Sequence, residues 1–195
     1  MNIGIDIDDT ISNTFESAKN YAEEYIKNEL KKEPVMDISK VKDHYYIRDM
    51  FGLTTEESDY FWKKYYNKII ENVKPKASSV EMINKLREDG NKIIIITARW
   101  SDEENDAFKI SEIWLKKNGI KYDKLYTGIE VKDETAIKEK IDLFIDDSIN
   151  QCKVVTEAGI KSYLFDAETN RHINPDKAIE RVFSWDEIYN KTKLM

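Results

Sequence analysis

Residues 93–96 are four isoleucines in succession, and residues 143–145 repeat the pattern as Leu-Phe-Ile. Apolar runs this short have the length of strands, and without polar alternation they need cover on both faces. The N-terminal run differs: Ile3, Ile5 and Ile7 recur at period two, which reads as a strand over residues 2–7. Residues 92–96 and 142–145 are the second and fourth strands, and 124–127 and 161–165 are the third and fifth. Helical patterns lie between most of them. Ser78 and Glu81 have capping-box spacing ahead of a helix over 79–89 that stops at Gly90. Ser101 and Glu104 are read the same way, opening a helix that runs to Asn118-Gly119. Strands that alternate with helices predict an α/β fold, a Rossmann-like three-layer α/β/α parallel sheet.

Residues 13–73 break the alternation. Phe15, Ala18, Tyr21 or Ala22, Tyr25 or Ile26, and Leu30 mark one amphipathic helix, and Phe61, Trp62, Tyr65, Tyr66, Ile69 and Ile70 mark another. The expected organisation is a core domain of residues 1–13 and 74–195, with a small helical domain, 14–73, inserted after strand 1. Its aromatic residues are expected to be mostly core, with one or two of Phe15, Tyr45, Tyr46, Phe61 and Trp62 left to stack on a ligand ring.

Carboxylates must carry any chemistry. The single cysteine, Cys152, excludes an internal disulfide and a cysteine zinc site, and its expected role is packing. The two histidines, His44 and His172, are too far apart in sequence to suggest a triad or a histidine-ligated metal. A net charge of −7 argues against a protein that coats nucleic acid. The apolar runs are too short for a bilayer and the N-terminus has no basic, apolar leader pattern, so a cytoplasmic protein is expected.

The first strand runs into Asp6-Ile7-Asp8-Asp9-Thr10. Carboxylates crowded at a strand end repel one another, and a hard divalent cation held by oxygen ligands is the usual remedy. The plainer reading is an acidic turn in which Asp9 or Thr10 caps a helix. Ligands of open parallel sheets bind beyond the carboxyl ends of the strands, where the second strand delivers Thr97 and the fourth Asp146 and Asp147. Thr97-Ala98-Arg99 adds a hydroxyl, backbone N–H groups and a guanidinium suited to phosphate oxygens, although Arg99 is equally suited to pairing with a nearby carboxylate.

These residues resemble the motifs of the haloacid dehalogenase superfamily of aspartate-nucleophile phosphohydrolases. Asp6 to Thr10 looks like the first motif, Thr97 the second and Asp146-Asp147 the fourth; Lys132 is the first choice for the third, with Lys138 and Lys140 as alternates. Asn170-Arg171-His172 and residues 181–188 are further similar to the tail of the cytosolic and mitochondrial 5'(3')-deoxyribonucleotidases and their bacterial relatives. The helical insertion then corresponds to their cap. The chain departs from the animal enzymes at Asp9, where they typically carry Gly, and at Ala98, where they typically carry Ser, two positions that bear on base and sugar selection.

The resemblance implies a Mg²⁺-dependent phosphomonoester hydrolase, most naturally a 5'-nucleotidase acting on (deoxy)nucleoside monophosphates. It implies Asp6 as nucleophile and Asp8 as general acid and base. Thr97, Ala98, Arg99 and Lys132 would lie around the phosphate, and Asp6, Asp8 (through its main-chain carbonyl) and either Asp146 or Asp147 would hold Mg²⁺. Its partner would be a small phosphorylated substrate, with neither a nucleic-acid polymer nor a membrane, and a homodimer is allowed. A sugar-phosphate phosphatase would use the same chemistry. A phospho-receiver would carry an aspartate on the third strand, where this chain has Thr127-Gly128, and a non-catalytic descendant would have no need of these carboxylates. Arg171 and His172 are read as a structural tether, and Trp185 as packing of the terminal helix.

Overall fold

The computed structural model describes residues 1–41, 46–103 and 105–195, so Tyr45, His44 and Glu104 lie outside the described residues. Six strands form one sheet: β1 (Asn2–Ile5), β2 (Lys92–Ile96), β3 (Lys124–Tyr126), β4 (Leu143–Asp146), β5 (Lys161–Phe165) and β6 (Ile179–Val182). Their order is β3-β2-β1-β4-β5-β6, and every pairing is parallel. The α/β, Rossmann-like expectation therefore holds. The chain winds outward from β1 in one direction, then restarts at β4 and winds the other way. The switch point lies between β1 and β4, and ligands of open parallel sheets bind outside the carboxyl ends of the strands at such a point.

All four isoleucines of β2 are buried, so both faces of the sheet are covered. On one face Ile94, Ile96 and Phe144 pack with Ala136 of helix α6 (Asp133–Lys138) and Val155 of α7 (Ile149–Glu157). Helix α4 (Ser79–Glu88) packs on β2 and on α8 (Trp185–Thr192), and α5 (Ala107–Lys117) packs on β3. Gly4 serves this packing: a Cβ there would stand 3.0 Å from the Phe144 ring.

The sixth strand is a correction to the five expected. In Ile179-Glu180-Arg181-Val182 only the two ends are buried, because β6 is an edge strand, and so short a pattern does not announce itself. Two expected caps also differ. Ser78 has φ 59° and makes no side-chain cap, while Glu81 instead pairs with Lys85 at 2.7 Å. Helix α5 is capped by Asp106, which accepts from the Lys109 N–H, and Ser101 Oγ accepts from the Ala107 N–H at 2.9 Å.

The chain divides into two compact units, Met1–Asn13 with Lys74–Met195, and Thr14–Val73. The second unit holds α1 (Thr14–Asn28), a 3₁₀ turn (Ile38–Lys40), α2 (Tyr46–Phe51) and α3 (Thr55–Asn72). Its core is aromatic. Phe61 is fully buried, with Tyr25 and Tyr65 ring centroids 5.8 and 5.4 Å away. Thr54 and Glu57 close a reciprocal capping box on α3, and Glu57 also receives Lys32 at 2.7 Å. Among the described residues no helix is long and apolar enough to cross a membrane.

Candidate active site

Register sets the site. Ile5 of β1 stands beside Ile145 of β4, and the Asp6 N–H donates to the Ile145 carbonyl at 3.0 Å, so Asp6 leaves the sheet next to Asp146. Both carboxylates are buried. Between them stands Lys132, itself buried, whose Nζ donates to Asp6 Oδ1 at 2.5 Å and to Asp146 Oδ2 at 2.7 Å. Lys132 immediately precedes α6, and its backbone N–H donates to Gln151 Oε1 at 3.1 Å, which ties that loop to α7. Of the three candidate lysines, the structure brings only Lys132 to this corner. Lys138 and Lys140 are exposed, and the Lys138 ammonium lies over the Tyr126 ring.

Asp147 completes the corner. One oxygen from each of Asp6, Asp146 and Asp147 lies within 4.8 Å of the others. The second Asp146 oxygen accepts from the Ser148 N–H at 2.8 Å, and Asp147 Oδ1 accepts from the Thr10 hydroxyl at 3.3 Å. Neither Asp9 nor Thr10 caps a helix, since α1 begins only at Thr14. Asp9 adopts φ 57°, and Thr10 is pinned through its carbonyl by the Trp185 indole N–H at 3.0 Å. Trp185 therefore packs and also anchors the turn that follows Asp6.

Burial pushes the Asp6 carboxyl up to about 7; Lys132 pulls it down, but Asp146 and Asp8 push it up further. Asp147 is held well above the carboxylate range by burial and by the charges of Asp146, Asp9 and Asp6. Burial works against the Lys132 ammonium, yet Asp146 and Asp6 outweigh it and raise that group above an ordinary lysine. Fully ionised, three carboxylates around one ammonium would leave negative charge uncompensated, which is why Asp6 and Asp147 hold their protons more tightly than ordinary carboxyls. An all-oxygen set of this kind fits a hard divalent cation such as Mg²⁺.

Thr97 is buried at the end of β2, its N–H donating to the Tyr126 carbonyl and its hydroxyl accepting from the Arg99 N–H at 3.3 Å. Ala98 is exposed on the turn between them. Arg99 takes the carboxylate pairing of the two that the sequence left open: its guanidinium grips both oxygens of Asp8 at 2.8 Å, reaches Ser111 Oγ at 3.3 Å and stands over the Trp114 ring. The Asp8 side chain therefore points to Arg99 and is not part of the three-carboxylate group.

Sequence reasoning passed over the residues behind this layer. Asn170, buried at 3% exposure, donates to the Asp147 carbonyl at 2.7 Å. Gln151, Ser111 and Trp114 support Lys132 and Arg99. As single polar or aromatic residues on loops and helices they carry no local signal; only the resemblance singled out Asn170. Arg171 pairs with Asp166 at 2.8 Å and is largely exposed, as is His172, while Arg181 does most of the tethering. Cys152 is buried in packing, as expected.

The family model described as 5' nucleotidase, deoxy (pyrimidine), cytosolic type C protein matches residues 1–194. A nucleotidase of Clostridium acetobutylicum is 31% identical over 191 residues, 97% of this chain and 92% of that protein. Among solved structures, a haloacid dehalogenase-like hydrolase from Streptococcus pneumoniae superposes with a TM-score of 0.68 at 16% identity, covering 98% of this chain and 97% of that one. CbbY from Rhodobacter sphaeroides, in complex with phosphate, gives 0.65 at 14% identity over 96% and 95%.

Proposed function

The chain belongs to the 5' nucleotidase, deoxy (pyrimidine), cytosolic type C family of haloacid dehalogenase-like phosphomonoester hydrolases, and from that premise we propose that it hydrolyses (deoxy)nucleoside monophosphates in two displacements at Asp6. The observation that carries this reading is the buried Lys132 shared between Asp6 and Asp146 with Asp147 alongside. A lysine so placed keeps one Asp6 oxygen occupied and fixes the other for in-line attack.

In the first displacement Asp6 attacks phosphorus, the ester P–O bond breaks and the nucleoside oxygen leaves with a proton from Asp8. Asp8 then takes a proton from the water that attacks the aspartyl-phosphate, which releases phosphate and restores Asp6. To reach either oxygen, Asp8 gives up part of its bidentate bond to Arg99, whose guanidinium then faces the phosphate. The Thr97 hydroxyl and the N–H groups around Ala98 hold phosphate oxygens, and Lys132 offsets charge as it moves from Asp6 to the transferred group. Asp6, Asp146, Asp147 and the Asp8 carbonyl are the groups that would hold Mg²⁺, and the cation would offset the charge of nucleophile and phosphate. In this reading the unit Thr14–Val73 is the cap.

The test is phosphate release from a panel of nucleoside 5'- and 3'-monophosphates and sugar phosphates, with Mg²⁺ or EDTA. Metal-dependent turnover of nucleotides, absent in Asp6→Asn, is the expected result. Turnover confined to sugar phosphates would keep the chemistry and reject the substrate, and turnover that survives Asp6→Asn would reject the nucleophile.

A further inference from the structure

The tail segment between β5 and β6 takes no part in the chemistry above, yet it touches the site. After Phe165 the chain turns through residues 166–178, and the buried Asn170 stands at the centre of that turn. Its amide is fully used. Nδ2 donates to the Asp147 carbonyl at 2.7 Å and to the Phe165 carbonyl at 2.8 Å, while Oδ1 accepts from the Ala167 N–H at 3.2 Å and from Arg181 Nη1 at 2.5 Å. Arg181, on edge strand β6, also donates to the carbonyls of Asn170 and Ile173 at 3.0 and 2.6 Å and pairs with Asp166 at 3.1 Å.

We propose that Asn170, locked by Arg181, is a positioning residue for the carboxylate corner: it fixes the main chain at Asp147 and so aims that carboxylate at the place where Asp6 and Asp146 converge. The physical need is plain. Asp146 and Asp147 are adjacent on the chain and repel each other, Asp146 is held by Lys132 and the Ser148 N–H, and among the described residues the Asp147 carboxylate accepts from the Thr10 hydroxyl at 3.3 Å. A buried amide on its carbonyl keeps the peptide from rotating to carry the carboxylate away. The inference deepens the proposed function, because it rests on the corner being a metal site.

The test uses the full chain, freed of metal with EDTA and titrated with Mn²⁺ followed by electron paramagnetic resonance, without substrate. Asn170→Ala is expected to weaken Mn²⁺ binding about 10-fold or more, the range seen when support behind metal ligands is removed. Arg181→Met should weaken it a few-fold, because the Asn170 amide stays but loses its lock. In turnover, activity lost at low Mg²⁺ should be partly recovered as Mg²⁺ is raised, a split that a loss of folded protein does not produce. Folded variants that bind Mn²⁺ within twofold of the parent overturn the inference. If Asn170→Ala does not fold, Arg181→Met decides alone. A parent that releases phosphate yet binds no Mn²⁺ brings down the metal reading and this inference together; a parent that binds beside variants that bind equally brings down only the inference.

Discussion

Two buried cations at the carboxyl edge of the sheet keep different company. Arg99 meets one carboxylate, Asp8, in a bidentate bond at 2.8 Å on each arm, and the Asp8 side chain is 30% exposed. Lys132 is divided between Asp6 and Asp146 at 2.5 and 2.7 Å, all three nearly without solvent, with Asp147 adding a third carboxylate. The first pair is matched in charge and geometry, one guanidinium to one partly exposed carboxylate. The second cluster is unmatched, and burial makes the mismatch costly. Burial of carboxylates in excess of cations separates the Lys132 cluster from the Arg99–Asp8 pair, in which one carboxylate meets one cation.

Removing the proposed nucleophile should separate stability from activity most sharply. Asp6→Asn is expected to lower phosphate release by at least about 10³-fold, measured as initial rates at saturating Mg²⁺. At pH 8 and without metal, the same change should raise the melting temperature, since it removes a buried carboxylate that its surroundings disfavour. A lower melting temperature would break the contrast.

Lys132→Met leaves neighbouring carboxylates without their cation and is expected to cost about 3–5 kcal/mol in denaturant unfolding at pH 8. Arg99→Met should cost less, about 1–2 kcal/mol, because Asp8 can turn to water. Equal costs would show that exposure does not distinguish the two clusters.

A further contrast is in pH. The Asp6 carboxyl of the folded, metal-free protein titrates at about 7, against 3.8 for the free side chain, so the folded state binds more protons than the unfolded one between those values. Stability of the EDTA-treated protein should therefore fall as pH rises from about 4 to 7. Metal must displace that proton, so Mn²⁺ affinity should weaken as pH drops below 7, by at most about tenfold per unit for one proton. Calorimetric titrations in buffers of different ionisation heat would detect the released proton, and affinity independent of pH would contradict the assignment.

Much of this site was legible before the fold, for a local reason. Asp6, Thr97 and Asp146 each close or directly follow a short apolar run, and a parallel sheet brings the ends of such runs to one edge. Lys132 was less legible: it lies in a polar stretch beside Lys138 and Lys140, and nothing local tells a buried ammonium from an exposed one. Arg99 was legible as a cation, but its partner lies 91 residues away. The caps expected at Ser78 and Ser101 differ for a shared reason: capping-box spacing marks where a helix can begin, and α4 does begin at Ser79, but Ser78 is held at φ 59° without a side-chain cap, while α5 begins at Ala107, where Asp106 supplies the cap.

By itself the sequence determined the α/β class, the places of five strands and the acidic and hydroxyl residues at their ends, because side-chain period and burial are properties of neighbours along the chain. Tertiary structure alone decided that Lys132 stands between Asp6 and Asp146, that Arg99 holds Asp8, that a sixth strand closes the sheet, and that Asn170 grips Asp147 across 23 residues. Those choices rest on contacts between distant segments, where burial sets the strength of each charge and register sets which charges meet.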